Sequence, residues 1–280
     1  MPTPAYLLVA HGSRDPRPAK ELSRLAQQVA AGLALTSRPL APAGDASYSS
    51  IPPDPANLPL VATAFLELQP EPLHQQILAV SEQAMATGYD ELYILPLFLL
   101  PGVHVMEDIP AEVAIAQSQL RVPLALHLCD HFGCYSQLSQ KLRSALPDPS
   151  GQRILLSHGS RRPGGNAPIE VLAKALDAVP AFWSVEPDLN TQVEQQCLHQ
   201  CLDNGQTGTD ITIIPYFLFS SGITDAIAQQ KQELATQFPG QTFHVLPPLS
   251  QSFPLDQWIV DWMMTDVLSQ REFGARTSGS

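Results

Sequence analysis

Short apolar runs recur along the chain, each followed by a longer stretch in which apolar positions return every three or four residues. The runs at 5–10, 58–66, 91–98 and 122–127 predict strands, and the periodic stretches around 18–34, 71–87, 107–118 and 134–145 predict helices. The order then begins again, with strands near 153–157, 180–185, 210–218 and 242–246 and helices near 166–178, 188–204, 223–237 and 254–270. Strands that are apolar throughout are covered on both faces, and their alternation with helices implies parallel pairing. The expected fold class is α/β, built as two similar lobes, each a small four-stranded, mainly parallel sheet with helices on both faces.

The two halves also agree residue by residue. Leu7-Leu8-Val9-Ala10-His11-Gly12-Ser13-Arg14 is echoed by Ile154-Leu155-Leu156-Ser157-His158-Gly159-Ser160-Arg161, so the two histidines lie 147 positions apart, counted from 11 to 158. A repeat of that size is a whole domain. Phe65-Leu66-Glu67-Leu68-Gln69-Pro70 matches Phe182-Trp183-Ser184-Val185-Glu186-Pro187, which sets Glu67 opposite Ser184. Superposing Gly102 on Gly222 sets His104 opposite Thr224. The first copy thus carries His11, Glu67 and His104 at three strand ends, where open α/β sheets place their chemistry, and the second keeps only His158. The expected domains are 1–146, carrying the site, and 152–270, a degenerate copy, joined through the Pro- and Gly-broken stretch 146–151. A mobile Pro-rich loop is expected at 38–57 and a disordered tail at 271–280.

Composition narrows the functions available. With 44% hydrophobic residues, each half can bury a core, and a net charge of −12 argues against nucleic acid, which needs a basic face. No run approaches the roughly 20 apolar residues of a membrane span, and the start of the chain has no leader pattern. A cytoplasmic protein without membrane contact is expected. Cys129, Cys134, Cys197 and Cys201 lack the paired spacing of a zinc site and read as reduced structural thiols.

His11 stands at a strand end beside Gly12, which leaves room for a ligand, and His104 follows the turn-forming pair Pro101-Gly102, which presents it above the sheet. Two imidazoles and the Glu67 carboxylate suit borderline divalent metals such as iron(II), cobalt(II) or nickel(II). His127 and His131, beside Cys129 and Asp130, read more simply as strand-edge residues, and His74 as a solvated helix residue. His199 and His244 have no neighbour in sequence that suggests a role.

The ordered segments Val9-Ala10-His11-Gly12-Ser13-Arg14, Thr63-Ala64-Phe65-Leu66-Glu67 and Pro96-Leu97-Phe98-Leu99-Leu100-Pro101-Gly102-Val103-His104-Val105-Met106-Glu107-Asp108-Ile109-Pro110 resemble the class II chelatases that insert a metal into sirohydrochlorin. The second half resembles the worn copy of the long, two-lobed members. The resemblance implies two chelatase-like lobes and ATP-independent exchange of Fe2+ or Co2+, as substrate, for two pyrrole protons of sirohydrochlorin, with no permanently bound cofactor. It gives His11, His104 and Glu67 the metal and proton-accepting roles. The macrocycle's carboxylates need local positive charge on so acidic a chain, and the candidates are Ser13, Arg14 and Arg17 on one side and Arg161 and Arg162 on the other. Siroheme and cobalamin synthesis both remain open, with iron slightly favoured because nothing after Arg271 resembles the histidine-rich or cluster-binding extension of some relatives. No iron–sulfur cluster is expected. A monomer is expected, since short relatives would need two chains to supply two lobes. The alternatives are a metal or tetrapyrrole carrier using the same residues and, less well matched because Ala10 precedes His11, a phosphohistidine-type phosphatase.

Overall fold

The computed structural model describes residues 4–36, 58–147, 151–204 and 210–267. The expected mobile loop at 38–57 and the tail at 271–280 lie outside the described residues. The elements run β1 Ala5–Ala10, α1 Pro16–Thr36, β2 Val61–Phe65, α2 Leu73–Ala86, β3 Glu91–Pro96, a π-helical turn His104–Asp108 leading into α3 Ile109–Gln119, β4 Ala125–Leu128 and α4 Leu138–Ala145. The second copy runs β5 Gln152–Ser157, α5 Ala167–Ala175, β6 Val179–Phe182, α6 Leu189–Asn204, β7 Asp210–Pro215, α7 Gly222–Gln237, β8 Thr242–Val245, a short α8 Leu249–Ser252 and α9 Leu255–Trp262.

Both sheets are four-stranded and entirely parallel, ordered β2-β1-β3-β4 and β6-β5-β7-β8. The α/β class with two similar lobes is therefore present. All six residues of β1 are buried, because the strand lies between β2 and β3 and is covered on both faces, whereas β4 at the edge has no buried residue and is exposed at both ends. Leu7 and Val9 join Leu92 and Ile94 of β3 in one core with Leu73 and Ile77 of α2 and Ile109 and Val113 of α3. Tyr6 and Leu8 point to the opposite face and are equally buried. The second core repeats the plan, with Ile154, Leu156, Ile211 and Ile213 packed beneath Leu189, Val193, Ile227 and Leu234.

In each sheet the chain leaves the second strand position in opposite directions, toward β2 first and then toward β3. That reversal opens a crevice at the carboxyl ends of β1 and β3, where such sheets bind ligands.

The strands follow the repeat, and the helices are shared between its copies. One compact unit comprises the chain through Tyr135 together with the chain from Leu255, and the other runs from Ser136 to Pro254. Helix α4 follows the first sheet's last strand yet packs on α5, where Arg143 donates to the Ala175 carbonyl (2.7 Å) and pairs with Asp177 (2.6 Å). Buried Arg153 of β5 ties the same unit by donating to the carbonyls of Leu176 and Pro147. Helix α9 follows the second sheet yet packs on α1, where the approach of Val260 leaves no room for a side chain at Gly32. Trp262, 1% exposed, meets Phe132 edge to face at 5.5 Å.

Among the described residues no helix is long and apolar enough to cross a membrane. Cys129 and Cys134 are free thiols. Trp262→Ala is expected to destabilise the unit containing β1 by about 3–5 kcal/mol. Hydrogen exchange under mild denaturant tests this: the amides of β1 should lose protection and those of β5 should keep it.

Candidate functional site

The carboxyl edge of the first sheet gathers its chemistry from three strand ends. His11 directly follows β1, and its carbonyl accepts a hydrogen bond from the Glu67 amide at 2.9 Å, extending the β1–β2 ladder by one rung. Gly12 then turns away at φ +100°, pressed so closely against the Glu67 carbonyl that a side chain would collide with it. Leu68, on the other side of Glu67, is an exposed leucine at φ +60°, a left-handed conformation that bulky residues rarely adopt and that clusters at functional sites. Gln76 of α2 anchors the same turn, accepting from the Phe65 amide (3.0 Å) and donating to the Phe65 and Glu71 carbonyls (both 2.9 Å).

His104 arrives from the next strand but one in sequence. After β3, the Leu97 amide donates to the Val9 carbonyl at 2.7 Å, and Pro101-Gly102 lift the chain into the π-helical turn that His104 begins. Such turns recur at functional sites. The result is a cluster in which His11 Nδ1 lies 4.0 Å from Glu67 Oε2 and His104 Nδ1 lies 3.9 Å from Glu67 Oε1. The two imidazoles meet edge to face with centroids 4.6 Å apart, and Phe98 flanks both at 6.3 and 6.4 Å. The side chains of His11 and Glu67 are half exposed and that of His104 is 32% exposed, so the cluster is open to an incoming ion.

As they stand, no three His, Cys, Asp or Glu side chains among the described residues enclose a metal ion. Donors about 2.1 Å from a common ion lie roughly 3.0–3.4 Å from one another, so the Glu67 carboxylate has to close on His11 Nδ1, now 4.0 Å away, by less than 1 Å or so.

The second copy keeps the backbone and, of the three donors, only His158. The Ser184 amide donates to the His158 carbonyl at 3.0 Å as Glu67 does to His11, and the Tyr216 amide to Leu156 as Leu97 does to Val9. The matched position of Glu67 is therefore a serine whose hydroxyl returns to the His158 carbonyl at 2.8 Å. Thr224, opposite His104, serves the start of α7 in a capping box with Ser221.

The basic residues differ between the copies. Arg17 is bound to Asp15 through Nε and a terminal nitrogen at 2.6–3.1 Å, and this guanidinium holds the Asp15 carboxyl below the usual carboxylate range. Ser13 accepts from the Asp15 amide at 3.0 Å. Arg162 takes the place of Asp15 in the second loop, and Arg14, Arg161 and Arg162 are all exposed. Asn166 closes that loop on Ser160, accepting from its amide at 2.8 Å and donating to its carbonyl at 3.1 Å.

Two residues near the site gain a place there only from the structure. Asp108 reaches back one π turn to His104 Nδ1 at 2.7 Å, and only its spacing of four from His104 could have indicated it. His74 is not solvated as its sequence context suggests. Its amide donates to Glu112 Oε2 at 2.8 Å and its Nδ1 lies 2.8 Å from the same oxygen, which joins α2 to α3. His244 stands 3.8 Å from Asp210, matching His127 and Glu91 at 3.7 Å in the first copy.

The loop after β4 holds an imidazole–thiol contact, Cys134 Sγ to His131 Nδ1 at 3.3 Å. Burial pushes the His131 imidazole below its usual value, against a smaller opposing effect of Asp130, and pushes the Cys129 thiol up to about 12. Neither favours the charged form. Because the unfolded chain protonates His131 more readily than the folded one, its contribution is fully present above pH 6.5 or so and is lost as pH falls through the window down to the lowered folded value. His131→Gln is expected to flatten the decline of melting temperature between about pH 6.5 and 5.

A tandem pair of four-stranded parallel sheets, one bearing an imidazole–carboxylate–imidazole cluster at its carboxyl edge, makes this a duplicated α/β protein with a single developed site. The chain matches the CbiX family over residues 50–148 and again over 152–263, and it belongs to that family. The first match begins after His11, and the second takes in His158. The sirohydrochlorin cobaltochelatase of Priestia megaterium is 24% identical over 196 residues, 65% of this chain and 60% of that protein. The chain thus spans about 60% of the length of this curated relative. Among solved structures, SirB from Bacillus subtilis with Fe3+ superposes with a TM-score of 0.65 at 18% identity, covering 93% of this chain and 94% of that one. The sirohydrochlorin chelatase SirB from Bacillus subtilis subspecies spizizenii in complex with cobalt gives 0.64 at 18% identity, covering 96% and 95%. These two share the fold.

Proposed function

We propose that this protein is a metal chelatase that inserts Fe2+ or Co2+ into sirohydrochlorin without ATP, serving siroheme or cobalamin synthesis. The observation that carries the reading is the convergence of His11, Glu67 and His104, from three strand ends, to within about 4 Å of one another. CbiX membership, the cobaltochelatase relative and the fold shared with SirB support it.

In this reading the metal is substrate. His11, His104 and Glu67 strip water from the ion and hold it at the open edge of the sheet. The macrocycle then takes the ion through its pyrrole nitrogens, and two protons leave. Imidazole and carboxylate are suited to exchange a metal for a proton near neutral pH, which accepts those protons without a further cofactor. One metal enters, two protons depart, and no redox change is needed.

The carboxylates of sirohydrochlorin meet a chain of net charge −12. Ser13, Arg14 and Arg17 beside the site, and Arg161 and Arg162 in the second copy, are proposed to hold them. The second loop is the stronger anion partner, because Asp15 occupies Arg17 in the first and no acid takes that place in the second. The second copy thereby retains a use for its loop without retaining metal donors.

Anaerobic spectrophotometry with sirohydrochlorin and Fe2+ or Co2+ tests the assignment. Catalytic metallation is expected in the parent protein and at most a few per cent of it in His11→Ala and His104→Ala, a loss on the scale of a removed acid–base or ligand group, roughly 10²-fold or more. Stoichiometric binding without turnover would replace the chelatase by a carrier, and no interaction with the macrocycle would end the reading. Arg161→Ala combined with Arg162→Ala is expected to raise the KM for sirohydrochlorin by about five- to thirtyfold with kcat little changed, and to lessen its salt dependence. An unchanged KM would remove these residues from the site.

A further inference from the structure

The contact between His104 and Asp108 raises a question of which imidazole nitrogen faces the ion. In the π-helical turn His104–Asp108 the side chains at its two ends stand over each other, and Asp108 Oδ2 lies 2.7 Å from His104 Nδ1. A carboxylate only accepts, so this contact is made with the proton on Nδ1, which leaves the lone pair of Nε2 free for a cation. Metal-binding imidazoles are commonly oriented in this way by a carboxylate behind them.

One turn further along α3, Glu112 accepts from the His74 amide and contacts His74 Nδ1, both at 2.8 Å, with the two side chains only 18% and 25% exposed. His74 lies in the first turn of α2, the helix whose Gln76 fixes the backbone of Phe65, two residues before Glu67. The helix that begins at His104 and Asp108 is thus tied, through Glu112 and His74, to the helix whose Gln76 holds the turn bearing Glu67.

We propose that Asp108 is a positioning residue, holding His104 as its Nδ1–H tautomer and so reserving Nε2 for the incoming divalent metal. The proposal rests on the metal-insertion reading for its place in turnover, while its central claim concerns the free protein. An asparagine at 108 presents a donor as well as an acceptor and so ceases to dictate the tautomer.

The test is imidazole 15N spectroscopy of the full chain, with Co2+ alone titrated beside it. In the parent protein His104 is expected to carry its proton on Nδ1. In Asp108→Asn this signature should become mixed or reversed, and Co2+ affinity should fall about 10- to 100-fold. In the chelatase assay the same variant should raise the KM for Co2+ by a similar factor with the KM for sirohydrochlorin nearly unchanged, and Asp108→Glu should recover much of the loss. A parent His104 protonated on Nε2 would overturn the proposal. So would Co2+ affinity that is insensitive to Asp108→Asn, or affinity lost with the tautomer unchanged, which would make Asp108 a ligand itself. If the parent protein binds Co2+ with the expected tautomer yet metallates no macrocycle, the functional reading falls and the positioning role stands.

Discussion

The hydrogen bond from the Glu67 amide to the His11 carbonyl is the contact on which the site depends. It continues the parallel pairing of β1 and β2 one residue past the sheet, so that an imidazole and a carboxylate leave adjacent strand ends side by side. The close passage of Gly12 over Glu67 is its condition, because any side chain there would push the two turns apart. Everything else at the site arranges itself around this pair: Gln76 steadies the Glu67 turn from behind, and the π-helical turn brings His104 across from β3. The same bond exists in the second copy between Ser184 and His158, where it supports no cluster of donors. Backbone geometry therefore provides the place, and side-chain identity decides whether chemistry occupies it.

Under the proposed function, the duplication separates two tasks that a single copy would have to combine. A metal site wants neutral imidazoles and a carboxylate, whereas a polyanionic macrocycle wants cations, and the two electrostatic demands conflict at close quarters. In this chain Glu67 and Asp15 lower the positive charge around the first strand-end loop. The second loop has exchanged the acid at the matched position for Arg162 and keeps its shape through Asn166 and Ser160. Divergence of the copies has followed charge more than fold.

Much of this was legible in the sequence because the signals were local. The buried strands announced themselves as apolar runs, and the repeated His-Gly-Ser-Arg placed two of them at their carboxyl ends. Matching the halves then isolated Glu67 and His104 by what Ser184 and Thr224 lack. What escaped was set by contacts distant in sequence. His74 gave no sign of meeting Glu112, 38 residues away, since each is an ordinary polar residue on a helix. Asp108 was visible only as part of an acidic helix start, and its alignment with His104 depends on a π turn that periodicity does not encode. The pairing of α9 with α1 was equally hidden, because the apolar face of a helix reveals that it is covered and not by what.

That last pairing has a consequence for how the chain comes into being. The first sheet and all three residues of its cluster leave the ribosome before the helix that covers α1, which begins 120 residues after Tyr135. At about 5–20 residues per second, the delay is on the order of ten seconds. During that interval the nascent chain already presents its ligands without the helix that completes their unit. The unit bearing His11, Glu67 and His104 is thus closed only after the whole of the other unit has been made, so that translation delivers the two together.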